Sequence, residues 1–277
     1  MGAKSADHSA GNPSGSSRYA EQREKELMDQ SLDNWPARTD APILENGNVH
    51  VWRASLVLPP DKLQQLHAWL SPDEQQRAAR MRIGRVRERF VASRGRQREI
   101  LAAYLSRSPK DVSFEYENLG KPRLAPSATE DRLFFNLSNS HELALIAVSR
   151  DRELGVDVEF VDRRSDNEAI ANRFFAEREK RALAAAPCGE RKVRFFRCWT
   201  RKEAVLKALG VGLTVSLDQI EVSATTDDCR VLDIDRDLSR PDDWTLFDLV
   251  PAERYVAAVA FQEGPATVST YAWAAEP

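Results

Sequence analysis

Two acidic side chains in the run Leu154-Gly-Val-Asp-Val-Glu-Phe-Val161 stand where a buried strand would normally exclude charge. On an extended chain with its period of two, Gly155, Asp157 and Glu159 share one face, and Leu154, Val156, Val158 and Phe160 share the other. The carboxylates are then roughly 6.6–6.8 Å apart along the strand, where they repel one another and a shared divalent metal would relieve them. A solvated strand face is the bland alternative, and an isolated Asp-x-Glu favours it. A second cluster shifts the balance. In the stretch Phe195 to Leu213 a helical stripe carries Phe195, Trp199 and Leu206, with Glu203 and Lys207 four residues apart along its edge. Alone, that pair reads as a surface salt bridge. Next to Asp157 and Glu159 it offers a third acid and a base.

The elements that must position these residues follow from periodicity and end signals. A strand is expected at Asn48–Leu58, closed by Pro59-Pro60, then an amphipathic helix over Asp61–Leu70. Ser71-Pro-Asp-Glu74 combines an N-cap serine, proline at the first helical position and acids in the first turn, and starts a helix running to about Met81. A longer helix is expected from about Arg85 to Ser106. Strands follow at Val112–Tyr116, Arg132–Leu137 and Leu143–Ser149, with a Gly120-Lys-Pro122 turn between the first two. After Leu154–Val161 come helices at Asn167–Phe175, Ala176–Ala185 and Glu190–Leu209, then strands near Leu217–Ser223, Thr245–Val250, Arg254–Phe261 and Thr267–Ala272.

The second half repeats the first at a constant offset. Val51 and Val156, Glu74 and Glu179, Phe90 and Phe195, and Leu101 and Leu206 are each 105 residues apart, with no gap. Trp52 then stands where Asp157 stands, and Ala54 where Glu159 stands. The expected architecture is α+β (α/β), two similar halves about a pseudo-two-fold axis with a site in the cleft between them. Residues 1–46 read as a disordered tail with at most a short helix over Glu21–Ser31. Residues 47–153 form the first half and 154–277 the second.

Composition narrows the class. The chain has 277 residues, 42% hydrophobic and 30% charged, with no apolar run near membrane-span length, so no membrane partner is expected. Cys188, Cys198 and Cys229 are odd in number and lack metal-type spacing, and no apolar leader precedes them, so a cytoplasmic protein without disulfides is expected. Cys198 reads as a buried structural thiol. Between Arg77 and Arg107 the arginines meet only Glu88 and Glu99, which suits an anionic partner. Nucleic acid is disfavoured, because converging carboxylates repel a phosphate backbone.

Gly155-Val-Asp-Val-Glu159 with Trp199-Thr-Arg-Lys-Glu-Ala-Val-Leu-Lys207 resembles the paired signature of 4'-phosphopantetheinyl transferases, of the larger surfactin-synthetase-activating type. The likeness runs from about Val49 to Phe261. It is supported by Leu70-Ser-Pro-Asp-Glu74, Arg89-Phe90 through Arg98, Gly120-Lys-Pro122, Phe135-Asn-Leu-Ser138 and Arg173-Phe-Phe-Ala-Glu-Arg-Glu179. The resemblance implies a duplicated monomeric fold and transfer of the phosphopantetheine arm of coenzyme A to a serine of an apo acyl or peptidyl carrier protein. Adenosine 3',5'-bisphosphate would leave.

The same resemblance implies site residues. Asp157, Glu159 and Glu203 would hold magnesium, with manganese as an alternative. Glu203, or a water it orients, would take the serine proton, and Lys207 would neutralise phosphate charge. Coenzyme A would meet Arg98, with Arg77 and Arg94 as further phosphate contacts, Lys121 and Pro122 near the nucleotide, and Ser138 with Asn139 from an Asn136–His141 loop. Asn139 replaces the histidine common in the family, and His141 reads as a loop residue. Glu179 reads as a helix cap. The resemblance leans towards a polyketide or nonribosomal peptide carrier and leaves a fatty acid carrier open. The rivals are a coenzyme A binder without turnover and a metal-dependent phosphohydrolase acting on pyrophosphates.

Overall fold

A computed structural model describes residues 34–126, 132–161, 167–225, 228–262, 264 and 266–274. The chain enters along β1 (Ala37–Arg38) and β2 (Asn48–Ser55), passes through α1 (Pro60–Trp69) and α2 (Pro72–Arg80), and runs into α3 (Gly84–Leu105). The strands β3 (Phe114–Tyr116), β4 (Pro122–Leu124), β5 (Phe134–Ser140) and β6 (Leu143–Ser149) complete the first half. The second opens on β7 (Leu154–Phe160), followed by α4 (Asn167–Phe174), α5 (Glu177–Ala185) and α6 (Arg191–Leu209). It closes with β8 (Ile220–Val222), β9 (Val231–Ile234), β10 (Trp244–Leu249), β11 (Tyr255–Gln262) and β12 (Thr267–Trp273). The class is α+β, as the sequence pattern predicts.

Two sheets form the frame. One has the order β1-β12-β2-β6-β5, the other β10-β11-β7. Within them β2-β6-β5 and β7-β11-β10 share one antiparallel plan, with β6 and β11 in the middle. Ala92, Ile100, Leu101 and Tyr104 of α3 pack with Trp52, Ile146 and Val148 on one side of the first sheet. On the second sheet, α6 packs through Val205, Leu206 and Ala208 with Val256, Ala258 and Ala260 of β11. Between the sheets, Val49, Val51, Leu145 and Ala147 meet Leu154, Val156, Val158, Val259 and Phe261. Alternation along β7 thus sends its apolar residues into that middle layer and Gly155, Asp157 and Glu159 towards α6.

Equivalent buried ion pairs lock the helices of each half. Glu74 accepts the Ser71 main-chain N–H at 3.1 Å while the Ser71 hydroxyl, the expected N-cap, accepts from Glu74 N, which makes a capping box. Glu179 caps Ala176 N at 2.8 Å, again as expected. Each glutamate also takes a cation from the long helix of its half: Arg98 reaches Glu74 at 2.6 Å, and Lys202 reaches Glu179 at 2.6 Å. The glutamates obey the offset of 105, whereas the cations are 104 apart.

Four expectations need correction. The tail was expected to run to 46, yet Trp35 and Leu44 are buried, and β1 pairs in parallel with β12. These two buried side chains and main-chain hydrogen bonds from Ala272 and Ala274 to Pro36 and Arg38 hold the stretch. Residues 1–33, including the short helix expected over Glu21–Ser31, lie outside the described residues. The final strand, assigned to the second half, instead joins the first sheet, with β12 parallel to β2. The expected strands near 112–116 and 217–223 are hairpins, β3 with β4 and β8 with β9. The first turns near Gly120, whose φ of 88° favours glycine. Finally, Asn136–Ser140 is part of β5 rather than a loop.

Candidate active site

Gly155 lets the two acid-bearing elements approach. A Cβ there would lie 2.0 Å from the Ala204 carbonyl oxygen and 2.4 Å from Ala208 N, so only glycine allows β7 to cross α6 this closely. Two residues on, Asp157 meets Lys207 from the facing turn of α6, with Lys207 Nζ at 2.6 Å from Asp157 Oδ1. The ammonium also donates to Ser138 Oγ at 2.9 Å and to the Val156 carbonyl at 3.2 Å. Ser138 donates to Asp157 Oδ1 at 2.8 Å. Asp157 Oδ2 is buried and has no hydrogen-bond partner.

The charges interact as neighbours. Burial pushes the Glu159 carboxyl above its usual range, Asp157 and Glu203 push it further, and Ser140 and Lys207 partly oppose them. Glu203 is likewise raised, first by burial and then by Asp157, with Lys207 opposing. Glu159 and Glu203, each made harder to ionise by burial and by the charge of Asp157, together with the unpartnered buried Asp157 Oδ2 form a donor set suited to a hard divalent cation. They do not close into a finished cage: among the described residues, no group of three acidic, histidine or cysteine side chains is gathered at metal-binding distances. Lys207 supplies the local counter-charge.

β5 and β7 belong to different sheets, yet their edges are joined by side chains. Val156, Val158 and Phe160 donate their main-chain N–H groups to Asn136 Oδ1 at 2.9 Å, Ser138 Oγ at 3.4 Å and Ser140 Oγ at 3.0 Å. These donors face the edge of β7 that β11 leaves open, and the polar residues of β5 at period two satisfy them. Ser140 in turn donates to Glu159 Oε2 at 2.7 Å. Asn136 and Ser140 were not singled out from the sequence, although three polar residues alternating along a strand were a visible signal.

A cleft of about 560 Å³ opens beside these residues, lined by Lys121, Pro122, Asn136, Leu137, Glu203 and Lys207, with Phe174, Leu206 and Leu217 as apolar wall. Lys121 and Pro122 also line a neighbouring cleft of about 410 Å³ with Arg107, Arg123 and Arg132. The Lys121 ammonium is tied to Glu153 at 2.6 Å and to the Ala208 carbonyl at 3.1 Å.

The expected phosphate ligands are dispersed. Arg98 is buried, bonded to Glu74 and to the Val112 carbonyl, and stacked over Phe114. Its charge, expected to meet a coenzyme A phosphate, compensates Glu74 inside the first half in this structure. Ser138 is likewise committed to Asp157, Lys207 and Val158 rather than facing outward. Arg77 and Arg94 lie over the Phe90 ring at 5.2 and 6.0 Å, with Arg77 exposed and Arg94 bonded to Gln97 at 3.1 Å. Asn139 is exposed on the opposite face of β5 from Ser138, its Oδ1 accepting from Ser93 at 3.4 Å. His141 is a turn residue, with φ of 52° and its ring stacked 4.6 Å from Phe160. Cys198 is buried with its thiol pushed up by burial, the structural role expected.

Comparison with known proteins gives this geometry a family. Residues 153–260 match the family ACPS, described as the 4'-phosphopantetheinyl transferase superfamily. The chain is 42% identical over 227 residues to 4'-phosphopantetheinyl transferase HetI of Nostoc sp. (strain PCC 7120), covering 82% of this chain and 92% of that protein. It is 31% identical over 163 residues to 4'-phosphopantetheinyl transferase AcpT of Escherichia coli K12, covering 58% and 78%. The L-aminoadipate-semialdehyde dehydrogenase-phosphopantetheinyl transferase of Xenopus laevis is 27% identical over 207 residues, covering 70% and 68%.

Proposed function

The chain belongs to the 4'-phosphopantetheinyl transferase superfamily, and from that premise we propose that it transfers the phosphopantetheine arm of coenzyme A to a serine of an apo acyl or peptidyl carrier protein. The reaction needs magnesium or manganese and releases adenosine 3',5'-bisphosphate. The observation carrying this reading is the convergence of Asp157, Glu159, Glu203 and Lys207, two from a strand and two from the helix it crosses at Gly155.

Asp157, Glu159 and Glu203 are the residues that would hold the divalent cation, and the unpartnered Asp157 Oδ2 is an oxygen already stripped of water. When bound, the cation would neutralise the pyrophosphate and stabilise the leaving phosphate. Glu203 takes the serine proton, directly or through a water it orients, and its raised pKa brings it nearer to the operating pH of a general base. Lys207 lines the cleft and offsets negative charge on the phosphates. Coenzyme A lies along the cleft bounded by Lys121 and Pro122, with Arg77 and Arg94 as phosphate contacts. Ser93 takes up Asn139 Oδ1, which leaves the Asn139 NH2 group as a donor towards a phosphate oxygen.

The larger surfactin-synthetase-activating type, acting as a monomer in the cytoplasm on polyketide or nonribosomal peptide carriers, is the finer reading. Its support is internal duplication: two sheets with one strand plan and an offset of 105 suit two halves about a pseudo-two-fold axis within one chain. We divide the chain accordingly into 47–153 and 154–277, with β12 returning to the first sheet. Carrier-dependent release of adenosine 3',5'-bisphosphate from coenzyme A tests the reaction class. Release that needs an apo carrier supports transfer, whereas release without one indicates a pyrophosphate hydrolase.

A further inference from the structure

β5 touches the acidic centre only through hydroxyls. A serine hydroxyl has one proton and two lone pairs. Ser140 accepts from Phe160 N at 3.0 Å, so its proton is directed to Glu159 Oε2 at 2.7 Å. Ser138 is saturated in the same sense, accepting from Val158 N and Lys207 Nζ and donating to Asp157. The two acids nevertheless differ in their support. Asp157 is held by both an ammonium and a hydroxyl, while the Ser140 hydroxyl is the one hydrogen-bond partner of Glu159 among the described residues. Of these two, Glu159 is therefore the freer to swing away from its like-charged neighbours.

We infer that Ser140 is a positioning residue: it bridges the exposed edge of β7 to the Glu159 carboxylate and so holds that acid turned towards Asp157 and Glu203. The side-chain joint between the sheets and the cation site are then a single device, in which the register of β5 against β7 sets the direction of a ligand. This rests on the cation site proposed for Asp157, Glu159 and Glu203. Hydrogen bonds of this kind, from a neighbour to a metal-ligating carboxylate, are commonly worth about 10–100-fold in metal affinity.

The test is a titration of the full chain with Mn2+, read by electron paramagnetic resonance without coenzyme A or carrier. The variants are S140A, S140T, E159Q and the S140A/E159Q pair. S140A is expected to weaken Mn2+ binding about tenfold, and S140T, which keeps the hydroxyl, to restore it. In the E159Q background S140A is expected to cost nothing further, because the carboxylate it orients is gone. Wild-type Mn2+ affinity in S140A would overturn the inference while leaving the cation site standing. A further tenfold loss in the double variant would overturn it too, since the effect would then bypass Glu159. No Mn2+ binding by the wild-type chain would remove the cation site, and this role with it. Should S140A fail to fold, S140C, with similar volume and a weaker donor, takes its place in the same cycle.

Discussion

Glu203 is where stability and chemistry pull apart. Its carboxyl is raised by burial and by Asp157, so folding favours its protonated form. The sign follows from linkage: a carboxyl whose folded pKa exceeds its unfolded value disfavours the folded state once pH passes above both, and relieves it as pH falls through the folded pKa. E203Q removes that burden. It is expected to raise the Tm of the metal-free protein at pH 7 by about 2–4 °C while abolishing transfer. Scanning calorimetry beside a transfer assay checks both, and an E203Q protein that transfers normally would remove Glu203 from the reaction. The same sign applies to Glu159, so Mn2+ affinity is expected to weaken on acidification at a higher pH than ordinary carboxylates would produce. At this scale the sequence was most informative about Asp157, Glu159, Glu203 and Lys207, because each pair is local to a single strand or helix. It was least informative about Arg98. The family resemblance marked it for phosphate, and only the approach of Glu74 from another helix reveals its ion pair.

Two kinds of contact between elements hold the frame that carries the acids. The first is the β7–α6 crossing at Gly155. G155A must push β7 away from the Ala204 carbonyl and so separate Asp157 from Lys207. It is expected to cost about 1–3 kcal/mol of stability and most of the activity, measured by denaturant unfolding and a transfer assay. The second is the pair of buried glutamates that cap α2 and α5 and take cations from α3 and α6. Removing one partner leaves an uncompensated buried charge, so R98A is expected to lose about 3–5 kcal/mol. Denaturant unfolding should register that loss, and an R98A protein of normal stability with raised coenzyme A demand would restore the phosphate role. Helix and strand periodicity made most of these elements legible, but not their partners. The Asn136, Ser138 and Ser140 joint links strands of separate sheets, and nothing local to 134–140 names β7 as the recipient.

At the scale of the molecule, two sheets share the strand plan β2-β6-β5 and β7-β11-β10, and the acids lie on β7 and on the helix it crosses. Trp52, at the position equivalent to Asp157, is buried in the α3 core, its indole N–H donating to Tyr104 at 2.8 Å. An apolar residue thus fills that position on β2, whereas β7 carries the charge. Near Trp52, His50 is buried, bonded to Tyr104 at 2.8 Å, and its pKa is lowered to about 4, by burial first and Arg38 second. With a folded pKa below the unfolded value near 6.5, the unfolded chain binds the extra proton first. The stability linked to His50 is therefore complete above about pH 6.5 and lost as pH falls towards 4. H50Q is expected to flatten the fall of Tm across that window. The constant offset of 105 across the long helices is a sequence pattern, and the two sheets with one strand plan are consistent with it. The return of β12 to the first sheet was not legible in the sequence, because alternation over 267–272 specifies a strand and leaves its sheet open. The most direct test of the central claim is the intact mass of an apo carrier protein after incubation with coenzyme A, magnesium and the full chain. A gain of one phosphopantetheine arm, absent with a chelator and absent with E203Q, is predicted. No mass gain across acyl and peptidyl carriers, or a gain that persists in the chelator, would contradict it.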